Sequence, residues 1–259
     1  MYWFMFPVSI GVATCAMLSG IGGAALFTPI FILVFPLLGS DYVLESTVAA
    51  VGTALLTQTF GFLSGFVGYL MQGTIDFKLA FRLMRVAVPV AVLGALAANR
   101  LPDGLLVLAY SVLVCWLGMA MIRMQRKAST VGSGLVITGI GAFLTGLVSV
   151  GIGEVIISQL TRRGIPVGIA AATSVAVVIV TVAFASVTLL AQLIKDGGLS
   201  AVPWNLVCYT IPGVLIGGQI GPRLQGRISQ RTMEKAIGTL FLFLSVAMLF
   251  VAFRKFGLI

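Results

Sequence analysis

The chain has 259 residues, 59% of them hydrophobic and only 9% charged. Ordinary globular domains are about a quarter charged, so a mean hydropathy of +1.15 excludes a water-soluble protein and leaves no room for a soluble domain beside membrane spans. The net charge of +9 does not indicate nucleic acid, because the basic residues are scattered over short loops, as where a membrane protein marks its cytoplasmic side.

Eight apolar elements follow one another: about 4–38, 43–71, 82–99, 104–123, 132–160, 165–194, 202–222 and 232–253. The start, "MYWFMFPVSI", lacks the basic region of a signal peptide and is expected to remain. The first element is interrupted by Gly20, Gly22 and Gly23, then by Thr28 and Pro29. The fifth carries Gly151 and Gly153 at the corresponding place. Broken backbone in lipid leaves N–H and C=O groups unpaired, and it survives only where protein or a water-filled cavity covers it.

The elements fall into two similar halves. "SGIGGA" (19–24) resembles "VGIGEV" (150–155), and "ESTVAAV" (45–51) resembles "ATSVAVV" (172–178). "PVAVLGALAANRL" (89–101) resembles "PGVLIGGQIGPRL" (212–224), with proline, glycine, arginine and leucine at identical spacing. The three matches keep their order, which argues for repeats 1–127 and 128–259.

Charge sets their relative orientation. If all eight elements span, Lys and Arg are shared almost evenly between the two sides. If 132–160 goes in and returns, then Lys78, Arg82, Arg85, Arg123, Arg126, Lys127, Arg162, Arg163, Arg223, Arg227, Arg231 and Lys235 share one face. Only Arg100, Lys195, Arg254 and Lys255 face the other way. That split obeys the positive-inside rule and makes the repeats inverted, as in many secondary transporters. The expected fold is an all-α polytopic membrane protein: an inverted repeat with glycine-broken, partly re-entrant first helices and about seven spans. Segment 4–38 can span or re-enter without altering the charge count.

Glycine also serves close helix packing, the reading that suits Gly61/Gly65 and Gly217/Gly221. Paired interruptions in corresponding segments instead point to a central binding site. Half-helices starting near Gly23 and Gly153 would aim free N–H groups and positive dipole ends into the break, favouring an anion. The expected substrate-binding set is Ser19, Gly20, Gly22, Gly23, Thr28, Ser46, Thr47, Gly151, Gly153, Thr173 and Ser174, with Ser149 nearby. Phe27, Phe31 and Phe60 are candidate walls for an organic tail, or lipid-facing side chains.

The doubled glycine break, the segments "ESTVAAVGT" and "AAATSVAVV", and the paired P-x4-G-x5-RL elements resemble the sulfite exporter TauE/SafE family over nearly the whole chain. That resemblance implies a bacterial inner-membrane permease for sulfite or an organosulfonate such as sulfoacetate, sulfolactate or toluenesulfonate. One departure stands out: Glu154 occupies the place of Gly23 in the second repeat. An ionised acid there would repel an anion, whereas burial favours the neutral acid. Glu154 is therefore a candidate for proton coupling, against the alternative of a carboxyl at a watery mouth or bonded to Gln159 or another neighbour.

Arg100 and Arg223 end matching elements, either as vestibule charges that attract anions or as interfacial anchors. Cys15, Cys115 and Cys208 lack metal or redox spacing and read as small buried hydrophobes. No histidine is present and no acidic pair stands out, so neither an enzyme nor a cofactor or metal is expected. A passive anion channel using the same dipole-lined constriction is the alternative to a permease. The expected partners are a small anion and the bilayer, and small-residue faces are compatible with a homodimer.

Overall fold

The computed structural model describes residues 2–19, 22–123, 134–224 and 230–257. Among these the chain is helical with short connections. Its helices are α1 (Met5–Ser19), α2 (Ala24–Pro29), α3 (Phe35–Leu38), α4 (Thr47–Met71), α5 (Phe77–Ala98), α6 (Asp103–Arg123), α7 (Gly134–Val148), α8 (Ile152–Arg162), α9 (Val167–Gly197), α10 (Trp204–Leu224) and α11 (Gln230–Lys255). Five are long and apolar enough to cross a membrane: α4, α5, α6, α9 and the Lys235–Lys255 part of α11. With 21 residues, α10 equals α6 in length. At about 1.5 Å per residue each of these six can cover a bilayer core of about 30 Å.

Polar residues mark where helices begin. Ser46 caps α4 by accepting the Ala49 N–H at 3.0 Å, and Asp76 caps α5 by accepting the Leu79 N–H at 2.9 Å. Both satisfy donors that a helix start leaves open.

Both broken segments fold into hairpins. In the second, α8 runs back along α7. Thr145 Oγ1 accepts the Ile152 N–H at 2.7 Å near the tip, Val155 packs on Gly141, and the Thr138 hydroxyl donates to Gln159 Oε1 at 3.3 Å farther down. In the first, the far ends are joined by aromatic rings. Tyr2 lies 5.5 Å from Phe35 and 5.4 Å from Tyr42, and Phe4 lies 6.2 Å from Phe35. Segment 4–38 therefore returns to the level at which it began. Among the described residues there are six helices of 21 residues or more, five of them apolar enough to cross a membrane, beside two short hairpins.

The return arm of the first hairpin is irregular for a chemical reason. Pro29 has no N–H, so the carbonyl four residues earlier, that of Ala25, loses its helical donor. The Tyr110 hydroxyl of α6 donates to that carbonyl instead. Beyond Pro29 the chain widens into a π-helical stretch, Ile30–Val34, before α3. Phe27, Phe31 and Phe35 form a buried column along the arm, with ring centres 5.8 and 5.2 Å apart. Such pairs contribute about 0.5–1.5 kcal/mol each beyond area burial.

The halves interlock. Helix α1 packs on α10 and α7 on α5; α10 also packs on α4 and α5 on α9; α4 meets α9, and α6 meets α11. Lipid supplies no hydrophobic drive between helices, so close backbone approach carries the contact. A Cβ at Gly213 would sit 2.5 Å from the Phe6 carbonyl oxygen, and Gly94 and Gly146 meet the Phe143 and Ala91 carbonyls in the α5–α7 seam. Gly61, Gly65, Gly217 and Gly221 serve the same purpose against Val214, Met17, Ile10 and Met17.

The cysteines differ from expectation. Cys15 and Cys208 are exposed and Cys115 is half-exposed. They lie on the outward sides of α1, α10 and α6, where a small apolar thiol suits lipid as well as it suits a core.

Candidate functional site

The two hairpin tips meet each other. On the first, α1 ends at Ser19 and α2 begins at Ala24. On the second, α7 ends at Val148 and α8 begins at Ile152. Ser149 there has φ +66° and Gly151 φ +134°. The first is a left-handed backbone uncommon for serine, the second one that only glycine adopts without strain.

Contacts across the junction are polar. The Thr28 and Ser149 hydroxyls are hydrogen-bonded at 2.7 Å, and the Ser149 hydroxyl lies 3.5 Å from the Ala24 carbonyl oxygen it donates to. Glu154 reaches both tips at once. One carboxyl oxygen accepts the Gly22 N–H at 3.3 Å, and the other accepts the Gly151 N–H at 3.2 Å. Gln58 Oε1 of α4 accepts the Ala24 N–H at 2.7 Å. Leaving such a buried donor unpaired costs about 1–3 kcal/mol. The opened amides are thus real, and here Glu154, Gln58 and Thr145 hold them.

Six of the expected residues gather at this junction: Gly22, Gly23, Thr28, Gly151, Gly153 and Glu154. Ser174 joins them from α9, donating to the Gly153 carbonyl at 3.3 Å. Gly20 and the Ser19 side chain lie outside the described residues. Three expected residues lie elsewhere. Ser46 and Thr47 start α4 at a separate cavity. Thr173 accepts the Asp76 N–H at 3.1 Å at the start of α5. Arg100 and Arg223 are exposed near the ends of α5 and α10. Phe27 and Phe31 are buried rather than lipid-facing, and Phe60 is half-buried against the core.

A model of the family described as sulfite exporter TauE/SafE matches residues 5–248. The chain belongs to that family. No curated protein and no solved structure gives a match. TauE/SafE proteins are membrane anion transporters, and membership together with the long apolar helices makes this chain a multi-pass membrane protein. Among the described residues no group of three or more His, Cys, Asp or Glu could hold a metal.

Three partners of the junction are not among the expected residues: Gln58, Thr145 and Tyr110. Gln58 and Tyr110 carried a usable signal, each being a polar group inside a long apolar run. Thr145 carried none, since a threonine in an apolar helix ordinarily bonds its own backbone, as Thr145 also does to Gly141.

Proposed function

We propose that this TauE/SafE protein is a bacterial inner-membrane permease for a small sulfur oxyanion or organosulfonate, of the sulfite, sulfoacetate, sulfolactate or toluenesulfonate class. Its substrate binds where the hairpin tips meet. The observation that carries this reading is the single Glu154 carboxyl shared by the Gly22 and Gly151 amides, one from each half. A carboxylate there is chemically close to a sulfonate: an anion whose oxygens accept from backbone N–H groups at helix starts. The substrate takes those amides when the Glu154 side chain leaves them. A proton on Glu154 removes the charge and leaves one oxygen a hydroxyl, a much weaker acceptor than a carboxylate, so protonation loosens one tip. This gives Glu154 its coupling role.

The two halves, 1–127 and 128–259, act as an inverted repeat. The reciprocity of packing supports it: exchanging α1 with α7, α4 with α9, α5 with α10 and α6 with α11 maps each main contact onto another or onto itself. Hairpins that return in both halves fit the expected division of cations, twelve on one face and four on the other. The touching tips favour a carrier, which alternates access, over an open channel.

Proteoliposome counterflow tests the proposal. Saturable exchange of sulfite, sulfoacetate or toluenesulfonate with trans-stimulation is expected. Fast, unsaturated conductance would make the protein a channel, and no flux of any of these anions would refute the substrate class.

A further inference from the structure

A cavity of about 340 Å³ opens beside the first hairpin, away from the junction. Its wall combines Phe31 and Val251 with Ser46, Thr47, Arg254 and Lys255. Volumes of about 300–1,000 Å³ with apolar walls and a few convergent polar groups are typical of small-molecule sites. It lies at the start of α4 and the end of α11, the side assigned only four cations. Two of those four, Arg254 and Lys255, line it.

The polar groups are arranged for an anion. Lys255 is already neutralised: its Nζ lies 2.7 Å from Asp103 and donates to Thr47 Oγ1 at 3.1 Å. Asp103 also accepts the Thr47 N–H at 3.2 Å. Among the described residues Arg254 has no ion-pair partner, so its charge is uncompensated. Ser46 Oγ accepts from the Ala49 N–H, and Thr47 Oγ1 from Lys255. A hydroxyl that already accepts has its own proton left to donate: that of Thr47 goes to the Asp103 carboxylate, and that of Ser46 has no acceptor among the described residues. Phe31 leads inward, stacked on Phe27, which is one residue from Thr28 at the junction.

We infer that this cavity is a second anion-binding station, taking a singly charged anion with a short apolar group: its head on Arg254 and Ser46, its apolar part on Phe31 and Val251. This rests on the permease reading for its role on the substrate's route. A sulfonate and an anionic lipid headgroup share the required chemistry, and the inference commits to the sulfonate.

The test is equilibrium binding of p-toluenesulfonate and of sulfite to the full chain in nanodiscs of phosphatidylcholine, with and without phosphatidylglycerol, alongside counterflow. Arg254→Gln should weaken toluenesulfonate binding roughly five- to tenfold, a partly screened charge contact. Arg254→Lys should restore it to within about twofold, and sulfite should depend less on the position. Unchanged toluenesulfonate binding in Arg254→Gln overturns the inference. So does loss of the Arg254-dependent component whenever phosphatidylglycerol is present, which would make the cavity a lipid site. Absence of counterflow with the Arg254-dependent binding intact would refute the permease reading and leave the cavity as a sulfonate site.

Discussion

The two hairpin tips carry related sequences but solve the cost of an open backbone differently. In the first, Gly23 is helical, with φ −58° and ψ −28°, and the donors of Gly22 and Ala24 are held by side chains from elsewhere: Glu154 of α8 and Gln58 of α4. The second tip is largely self-contained. Thr145 and Glu154, its own flanking residues, hold Ile152 and Gly151, and the turn is made by positive φ at Ser149 and Gly151. One tip thus depends on its surroundings, whereas the other is stiff and internally capped. A stiff tip and a dependent tip joined by one carboxyl form a junction that can open by releasing the dependent side.

The largest effect should come from the backbone of the stiff tip. Gly151→Ala forces a side chain into φ +134° and places its Cβ 3.0 Å from the Gly141 carbonyl oxygen, at a cost of about 2–3 kcal/mol. Gly23→Ala keeps a helical φ and meets no backbone atom, only the Ala16 Cβ at 3.3 Å and the Phe27 ring edge at 4.0 Å, so it should cost less than about 1 kcal/mol. Thermal unfolding in detergent compares the two, and equal losses would erase the distinction between the tips.

Glu154→Gln comes next. A glutamine offers one acceptor oxygen where two amides need one each, leaving one donor unpaired at about 1–3 kcal/mol. Exchange in proteoliposomes should change in rate and lose its pH dependence, because the amide does not titrate. An unchanged rate and pH profile would remove Glu154 from the mechanism. Tyr110→Phe should then cost about 1–2 kcal/mol by stranding the Ala25 carbonyl that Pro29 leaves without a donor. The stranded carbonyl belongs to the first hairpin, since the matching turn of α8 contains no proline, although the hydroxyl also lies within electrostatic reach of Glu154.

Much of this architecture was legible in the sequence because it follows from composition and punctuation. Long apolar runs gave the spans, glycine pairs gave both breaks, and the asymmetry of cations required the second hairpin. The first hairpin was not legible, since no charge precedes Asp41 to mark its side; aromatic contacts between Tyr2, Phe35 and Tyr42 close it instead. At the site, glycines and Glu154 were readable as departures from a plain apolar helix. Ser46 and Thr47 lie apart from the tips because order along the chain does not fix depth in the bilayer, and Thr173 because it faces a different side of α9 from its neighbour Ser174. Ser46 and Thr47 begin α4 and Thr173 meets the start of α5, while Thr28 and Ser174 meet the tips.

The smallest effect concerns the hydroxyl pair that joins the tips without involving a charge. Thr28→Val and Ser149→Ala each remove half of the 2.7 Å hydroxyl pair. Valine keeps the shape of threonine, so packing along the Phe27–Phe31 column should persist. Each single change should cost about 1 kcal/mol, and the double change less than their sum, with a coupling of about 0.5–1 kcal/mol. If the tips part during transport, this bond exists only in the closed state. Removing it should then speed exchange two- to fivefold while lowering stability, since 1 kcal/mol taken from the closed state alone is a factor of about five in its population. A loss of stability with no change in exchange rate would mean that the tips stay together through the cycle, and that the substrate passes beside the junction rather than through it.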